Sequence, residues 1–315
     1  MSVGPDEWET YFHNNEPPGN LEDVKSSVDR FVKEHGASNR KIALVTSGGT
    51  TVPLESNTVR FVDNFSAGNR GSSSTEYFLL NGYAVIFMHR EKSLLPYLRH
   101  FHFQNFLDWF KLTSSVEQQA SLELSVSSEL HDRLVKQLSV YEKVKKENRL
   151  LHISFTTVTE YLFLLKAIAK IFDRLGAIGI FYLAAAVSDF YLPAPEMPEH
   201  KIQSTGALSI TMKQVPKLLS PLVREWAPKA FTVSFKLETN KDLLISKAKQ
   251  AIERYQHQVV IANQLDTRKR MVVLVTSSDE KIIDMSDAEL TQGQEIEQKI
   301  VEDIVKQHNL FIASS

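Results

Sequence analysis

The stretch VTSGGTTVPLE at residues 45–55, followed by RFVDNFSAGNRG at residues 60–71, has the pattern of a buried strand, a glycine-rich loop and the start of a helix. The strand is predicted at 41–45 and the helix near Gly71. Backbone N–H groups at a helix N-terminus have no intrahelical partner, and the helix dipole favours negative charge there. The segment therefore predicts a binding site for a nucleotide or another phosphorylated ligand.

Four glycines in this segment, Gly48, Gly49, Gly68 and Gly71, have no Cβ and would let a ligand approach the main chain. In an alternative interpretation, the first pair only shapes a tight turn and the second pair only caps a helix. The segment contains neither the G-x-x-x-x-G-K-[ST] pattern of a P-loop nor the G-x-G-x-x-G pattern of dinucleotide-binding proteins. Neither of those two common nucleotide sites is therefore expected.

The composition is that of a globular protein and excludes several classes of function. The 315 residues are 43% hydrophobic and carry a net charge of −2, so there is no basic excess for binding nucleic acid. The absence of cysteine excludes disulfides, thiolate metal sites and cysteine nucleophiles. An acidic start and the lack of an 18-residue apolar run predict a cytoplasmic protein that does not enter the membrane.

Strand-like and helix-like segments alternate along most of the chain. The apolar run IGIFYLAAAV at 178–187 is typical of a central parallel strand that is covered on both faces. The alternation predicts an α/β fold of the Rossmann-like, doubly wound type, with a mostly parallel sheet and helices on both faces. We expect a single domain over residues 1–315, with a loose N-terminal arm at 1–20 and a helical insertion at about 89–150.

Polar residues follow several of the predicted strands at the point where each strand ends. They lie at 46–50, at Ala185–Asp189, at Phe235 with Lys236, and at Asn263. Ligands of doubly wound sheets bind outside the carboxyl ends of the strands, so we expect these four pieces to line one crevice.

Individual residues near this crevice have more than one interpretation. Asp189 could bind a metal, accept a bond from a substrate hydroxyl, or cap a turn. Lys201, in the long loop at 189–204, could bind phosphate or remain a solvated surface lysine. Arg60 and Asn64 would share one face if their segment were helical. The sequence shows none of the common zinc or serine-nucleophile motifs.

Seven segments, taken in order between about residues 41 and 312, resemble the phosphopantothenoylcysteine synthetase family, also called phosphopantothenate–cysteine ligase, in its stand-alone eukaryotic form. The segments are TSGGTTVPLE, VRFVDNFSAGNRG, FYLAAAVSDFY, MPEHKIQS, ITMKQVPKLL, SFKLETN and VVIAN.

This resemblance implies an enzyme of coenzyme A synthesis that joins 4′-phosphopantothenate to L-cysteine. The substrate carboxylate would attack the nucleotide α-phosphate to form an acyl-nucleotidylate and pyrophosphate, and the cysteine amine would then displace the nucleotide monophosphate. The resemblance also implies a Mg²⁺ cofactor, ATP as co-substrate with CTP as a possible substitute, and a homodimer.

The family's functional positions carry over to particular residues of this chain. The resemblance implies that Asn64 and Lys201 are catalytic and that Arg60 reaches the substrate phosphate from the partner subunit. It implies that the nucleotide is bound by Gly48, Ser66, Gly68, Gly71, Phe235 and Asn263, and phosphopantothenate by Asn64, Ala185, Ala186 and Asp189. No metal ligand is assigned. One departure concerns charge: bacterial relatives carry K-x-K-K where this chain has KIQS, which keeps Lys201 alone.

Two other functions remain as alternatives. An NAD(P)-dependent oxidoreductase would suit the doubly wound fold but lacks the glycine fingerprint. A catalytically silent nucleotide-binding protein would retain ATP without releasing pyrophosphate.

Overall fold

The computed structural model describes residues 6–101, 107–112, 124–204 and 206–315. Its strands are β1 Ile42–Ser47, β2 Thr51–Pro53, β3 Phe61–Asp63, β4 Ala84–Arg90, β5 Phe110–Leu112, β6 Leu124–Val126, β7 Leu150–Phe155, β8 Gly179–Leu183, β9 Phe190–Tyr191, β10 Lys213–Gln214, β11 Phe231–Glu238, β12 Val259–Gln264, β13 Met271–Val275 and β14 Glu280–Asp284. Its α-helices are α1 Asp6–Asn14, α2 Leu21–Ala37, α3 Asn69–Leu80, α4 Ser128–Lys146, α5 Val158–Phe172, α6 Leu219–Pro221, α7 Lys241–Tyr255, α8 Asp287–Thr291 and α9 Ile296–Ser314. Short 3₁₀ or π segments occur at Leu98–His100, Leu107–Trp109, Asp173–Ile178, Ala194–Glu196 and Leu222–Trp226.

Eight strands form the central sheet in the order β14-β13-β12-β11-β8-β1-β4-β7. The pairings from β12 to β7 are parallel, whereas β13 and β14 add an antiparallel edge. The chain runs from β1 outward to β4 and β7, then returns to place β8 on the other side of β1. The order of the strands therefore reverses between β1 and β8, which is where doubly wound sheets bind their ligands.

Helices cover both faces of this sheet. On one face, α2 and α5 bury Val28, Phe31 and Leu165 against residues such as Leu44 of β1. On the other face, α3 and α9 pack against β1, β4 and β8. β1 itself is buried along its whole length. The doubly wound, mostly parallel α/β fold is thus confirmed.

The expectation of a loose arm at 1–20 is wrong for residues 6–14, which form α1. Tyr11 is buried, and its hydroxyl lies 2.9 Å from Thr159 Oγ1. The Phe12 ring packs edge-on against Phe163, with 4.8 Å between centroids. Aromatic residues at 8, 11 and 12 recur at helical spacing and give α1 an apolar face. The polar run NNEPPGN after the helix is rich in turn-forming residues, so the whole segment had the composition of a loop.

The predicted helical insertion at about 89–150 is correct in part. Helix α4 occupies 128–146, but β5 and β6 pair as a short antiparallel ribbon. In sequence, Phe103, Phe106, Leu107 and Phe110 recur at the spacing of a helical stripe. The first two lie outside the described residues, whereas Phe110 belongs to β5. Strands of three residues are too short to show the alternation by which strands are recognised.

The alternating run LSITMK at 208–213 has the pattern of a strand, but the structure has only the two-residue β10 there, which pairs with β9. The division into one domain stays a prediction. In the described part of the chain, no helix combines the length and apolar character that a membrane span requires.

Candidate active site

The loop after β1 is shaped by contacts of the chain with itself. A Cβ on Gly49 would lie 1.6 Å from the backbone oxygen of Asn64, and a Cβ on Gly71 would lie 2.4 Å from Ser47 Cβ. Gly48 has φ +85°, and its added Cβ would lie 2.7 Å from Arg90 Cβ. Because these glycines have no side chains, neighbouring segments of the protein pack directly against their backbone. The alternative interpretation, in which these glycines shape a turn and a helix start, therefore has a physical basis.

The N-terminus of α3 has the features of an anion site. Its N-cap is Gly68 in the left-handed conformation, with no capping side chain, and the first turn contains no acidic residue. The Gly68 carbonyl accepts bonds from the backbone and hydroxyl of Ser72 and from the Ser47 hydroxyl, which fixes the loop. The first N–H groups of the helix and its dipole therefore remain to favour a phosphate.

The loops after β1 and β8 are joined by hydrogen bonds across the point where the strand order reverses. Ala186 N donates to Gly48 O at 2.8 Å, and Thr50 N donates to Ala186 O at 3.1 Å. Ala185 N donates to Thr46 Oγ1 at 3.1 Å. The expected neighbourhood of the 46–50 loop with Ala185 and Ala186 is therefore present. The backbone N–H groups of both alanines are already used within the chain.

Asn64 follows β3 and lies against the same loop. Its backbone N donates to Thr50 O at 3.1 Å. Within the described residues its side-chain amide has no hydrogen-bond partner, so it is available to a ligand. The helical arrangement considered for Arg60 and Asn64 does not occur, because Phe61–Asp63 is extended and pairs with β2.

Arg60 and Lys201 are connected through a buried carboxylate. Arg60 Nη1 donates to Glu55 Oε1 at 3.2 Å and to Ile202 O at 3.0 Å, and its side chain is 34% exposed. The Arg60 side chain is thus partly exposed to solvent, although it is also bonded within its own chain. Lys201 is exposed, and its ammonium has no partner among the described residues.

The pKa of Glu55 reflects two opposing causes. Burial alone would raise it, but hydrogen bonds from the backbone N–H groups of Arg60, Ile202 and Val59 together hold it below its usual value. Glu55 is therefore an anion at neutral pH.

Asp189 forms an ion pair with Lys217 at the edge of the crevice, and its carboxylate is largely exposed. Its backbone oxygen accepts a bond from Val215 N at 2.9 Å. Among the described residues, no three His, Asp or Glu side chains cluster as they would around a dedicated metal ion.

Asn263 stands near the carboxyl end of β12, whereas Phe235 lies within β11, one residue beyond the position that pairs with Leu183 at the end of β8. The Phe235 ring packs edge-on against Tyr182, with 5.0 Å between centroids. Asn263 is buried, and its Oδ1 has no hydrogen-bond partner in the described part of the chain. Parallel neighbours in a sheet lie about 4.8 Å apart, so these residues and the loops after β8 and β1 fall along one edge.

Several residues at this edge were not predicted as site residues. Arg90 lies over Gly48 and donates to Asp63 Oδ1 at 2.5 Å. The buried Ser93 Oγ lies near Gly68 and has no hydrogen-bond partner among the residues that the structure describes. Arg90 ends β4 and Ser93 follows it, so the rule that sites gather at strand ends would have found both. Glu55 and Lys217 lie inside the motifs quoted above, but their partners are remote in sequence.

Together, the fold and site define an α/β protein of the doubly wound type, in which a helix N-terminus with the features of an anion site lies where the strand order reverses. Residues 144–308, just over half of the chain, match the model of the DNA/pantothenate metabolism flavoprotein C-terminal domain. The phosphopantothenate–cysteine ligase of Mus musculus is 48% identical over 284 residues, which cover 90% of this chain and 91% of that one. The ligase CAB2 of Saccharomyces cerevisiae is 41% identical and covers 98% of this chain and 88% of its own.

Solved structures agree with these sequence relatives. A Cab2 variant in complex with phosphopantothenate-cysteine matches with a TM-score of 0.87 and 42% identity, covering 97% of this chain and 99% of its own. The chain belongs to the phosphopantothenate–cysteine ligase family.

Proposed function

We propose that the protein ligates 4′-phosphopantothenate to L-cysteine in coenzyme A synthesis, through an acyl-nucleotidylate intermediate. The observation that carries the proposal is the family membership of this chain. Among the described residues, the Asn64 side-chain amide and the first N–H groups of α3 have no partner, and both lie where the strand order reverses. Membership of a ligase family also argues against the oxidoreductase alternative. A cytoplasmic location belongs to the same proposal.

In the first half-reaction, a carboxylate oxygen of phosphopantothenate forms a bond to the α-phosphorus, and the bond to the leaving pyrophosphate breaks. Negative charge on the transferring group calls for cations and N–H donors. The N–H groups at the start of α3 and the Lys201 ammonium supply them in this proposal. The Asn64 amide would donate to the acyl intermediate and hold it in place.

In the second half-reaction, the cysteine amine attacks the activated carbonyl carbon. An amide bond forms, the bond to the nucleotide monophosphate breaks, and the amine loses a proton. The loops at 46–50 and 185–189 would hold phosphopantothenate, with Asp189 accepting a bond from a substrate hydroxyl.

Mg²⁺ fits this site as an ion that arrives with the nucleotide. Magnesium sites commonly use one or two carboxylates, several waters and substrate phosphates. Asp189 is an exposed carboxylate at the correct edge, although it is paired with Lys217. When bound, the ion would supply charge neutralisation on phosphate oxygens.

Asn263 supports nucleotide binding at the other end of the crevice. A buried acceptor without a partner is unfavourable, and a ligand N–H would satisfy its Oδ1. The exocyclic amino group of either adenine or cytosine would serve. The proposal favours ATP over CTP because the chain resembles the animal form of the family.

A homodimer is supported by apolar side chains on the β2–β3 hairpin and just after it. Val59, Phe61, Val62 and Phe65 are all exposed, with Phe65 91% exposed. Several exposed large apolar side chains on one short segment favour a contact with another protein surface. Arg60 lies on the same hairpin, so a second copy seated there would bring it towards the partner's site.

The test is pyrophosphate release from purified protein with Mg²⁺ and 4′-phosphopantothenate, comparing ATP with CTP and adding or omitting cysteine. The proposal expects sustained turnover only with cysteine, with ATP the better nucleotide. Retained ATP binding without any pyrophosphate would instead indicate the silent nucleotide-binding alternative. A fluorescence change on mixing with NAD(H) would reopen the oxidoreductase alternative.

A further inference from the structure

Glu55 is a buried carboxylate whose hydrogen-bonding capacity is used fully by its own chain. It is 0% exposed. Its Oε2 accepts bonds from Arg60 N at 2.9 Å and Val59 N at 3.3 Å, and its Oε1 from Arg60 Nη1 at 3.2 Å and Ile202 N at 3.3 Å. A buried charge is costly unless it is satisfied in this way, so the surrounding backbone is held firmly.

These bonds join two segments that are far apart in sequence. Glu55 and Ile202 are separated by 147 residues. Nearby, Ser56 N donates to Pro198 O at 2.9 Å and Asn57 N donates to Glu199 O at 3.0 Å. The backbone is therefore tied down on both sides of Lys201, although the Lys201 ammonium itself has no partner in the described part of the chain.

The backbone and the side chain of Lys201 therefore differ in how firmly they are held. Its backbone is fixed to the segment that leads through β3 to Asn64, whereas its side chain remains free to meet an anion. Lysine binds phosphate as a point charge on a flexible stem, so the place where the stem begins decides which phosphate it reaches. With one lysine in this loop, no neighbouring lysine would compensate for a displaced one.

We propose that Glu55 is a positioning residue that places Lys201 for the first half-reaction. This inference rests on the proposed role of Lys201. Glu55 has no free oxygen with which to contact a substrate, so it acts through the backbone of Ile202.

A double-mutant cycle tests the proposal. Lys201→Gln is expected to slow pyrophosphate release about 10²-fold, and Glu55→Gln at least tenfold. Because Glu55 acts through Lys201, adding Glu55→Gln to the Lys201→Gln variant should slow release less than about twofold. Glu196→Gln is the matched control: it makes the same change at an exposed residue of the loop and should leave the rate unchanged.

The outcomes distinguish the possible failures. An effect of Glu55→Gln that is equally large in both backgrounds would show a general structural role and overturn the inference. A normal rate in Lys201→Gln would remove Lys201 from the mechanism, and the inference with it, while turnover of the unmodified protein would still establish the ligase.

A readout without activity uses trypsin, which cleaves after Lys201. Glu55→Gln should raise cleavage at this bond roughly tenfold, relative to cleavage after Lys269 in an exposed turn, because the tie to Ile202 is lost. If Glu55→Gln does not fold, Glu55→Asp keeps the charge but is one methylene shorter, which draws the carboxylate away from Ile202 N, with the same expected increase. Unchanged cleavage after Lys201 in a folded variant would overturn the inference.

Discussion

At the scale of single residues, the site depends on close contacts that fix its backbone. The clearest is at Gly49, where an added Cβ would lie 1.6 Å from the backbone oxygen of Asn64. A contact with backbone cannot be relieved by rotating a side chain. The position of Asn64 is therefore set by the absence of a side chain at residue 49.

Gly49→Ala should displace Asn64 and reduce ligation by at least about tenfold, because a shift near 1 Å of a reacting group has effects of this size. Steady-state turnover and circular dichroism would measure activity and fold. Gly82→Ala is the matched control, since an added Cβ there meets no atom within 4 Å, although its φ of +83° adds some strain. Turnover in Gly49→Ala equal to that of the control would contradict the prediction.

Asn64→Asp should leave the fold intact and cripple ligation. The change replaces an amide donor with an anion beside an anionic substrate. Asn309→Asp makes the same change on α9 and should remain active. Asn309 Oδ1 accepts a bond from Lys41, which precedes β1 at the amino-terminal edge of the sheet. Near-normal turnover in Asn64→Asp would remove Asn64 from the mechanism.

The sequence could predict part of this site. Alternating strands and helices predict that the 46–50 loop, Ala185 and Asn263 lie at the carboxyl edge of the sheet, and the structure has them there. The role of Glu55 could not be predicted, because it depends on Ile202, which is 147 residues away. The ion pair between Asp189 and Lys217 could not be predicted for the same reason, since a local sequence pattern does not show which distant charges come together.

At the scale of helices and strands, the elements with longer apolar patterns were easier to predict from the sequence. The run at 178–187 is long enough to reveal β8, and the central strands were predicted correctly. Helix α1 was missed because its apolar face consists of three aromatic residues, and turn-forming residues follow it immediately. What makes α1 stable is packing against α5 and Trp226, which local propensity does not report.

Tyr11→Ala tests whether α1 is a structural element of the folded protein. The buried ring packs against Tyr191, with 4.9 Å between centroids, and its loss should reduce the free energy of unfolding by about 3 kcal/mol. Urea denaturation measures this change. Glu7→Ala on the exposed side of the same helix should have almost no effect. Equal stabilities of the two variants would support the interpretation of residues 6–14 as part of a loose arm.

At the scale of the whole molecule, the exposed hairpin predicts association of two copies. Phe65→Asp should convert a dimer into a monomer, because a charge cannot be buried in an apolar interface without a partner. Sedimentation velocity would show the change in mass. Leu310→Asp on α9 alters a side chain that is 73% exposed and should leave the dimer intact. A monomeric unmodified protein would exclude the proposed interface.

Stability should fall in mild acid because burial lowers the pKa of three histidines, His152, His257 and His308, to about 4. The pKa of each is 6.5 in the unfolded chain. Between these values the unfolded chain binds more protons, so stability is full above pH 6.5 and is lost as the pH falls towards 4. His257 and His308, whose side chains are buried, each account for on the order of 3 kcal/mol.

Urea denaturation at pH 7 and pH 4.5 would measure this loss. His308→Gln should reduce it, since Nε2 of His308 donates to Ala177 O and Nδ1 accepts from Tyr83 only in the neutral ring. His200→Gln, at a side chain that is 80% exposed, should not alter it. An acid loss that persists unchanged in both His257→Gln and His308→Gln would contradict the assignment.

Activation of the substrate carboxylate as an acyl-nucleotidylate would transfer one carboxylate oxygen to the nucleotide monophosphate. Its most direct test labels both carboxylate oxygens of 4′-phosphopantothenate with ¹⁸O and follows the label by mass spectrometry after ligation with ATP and cysteine. The account predicts one labelled oxygen in AMP and one in the new amide. Label in inorganic phosphate, with ADP as the other product, would contradict it and indicate an acyl-phosphate route.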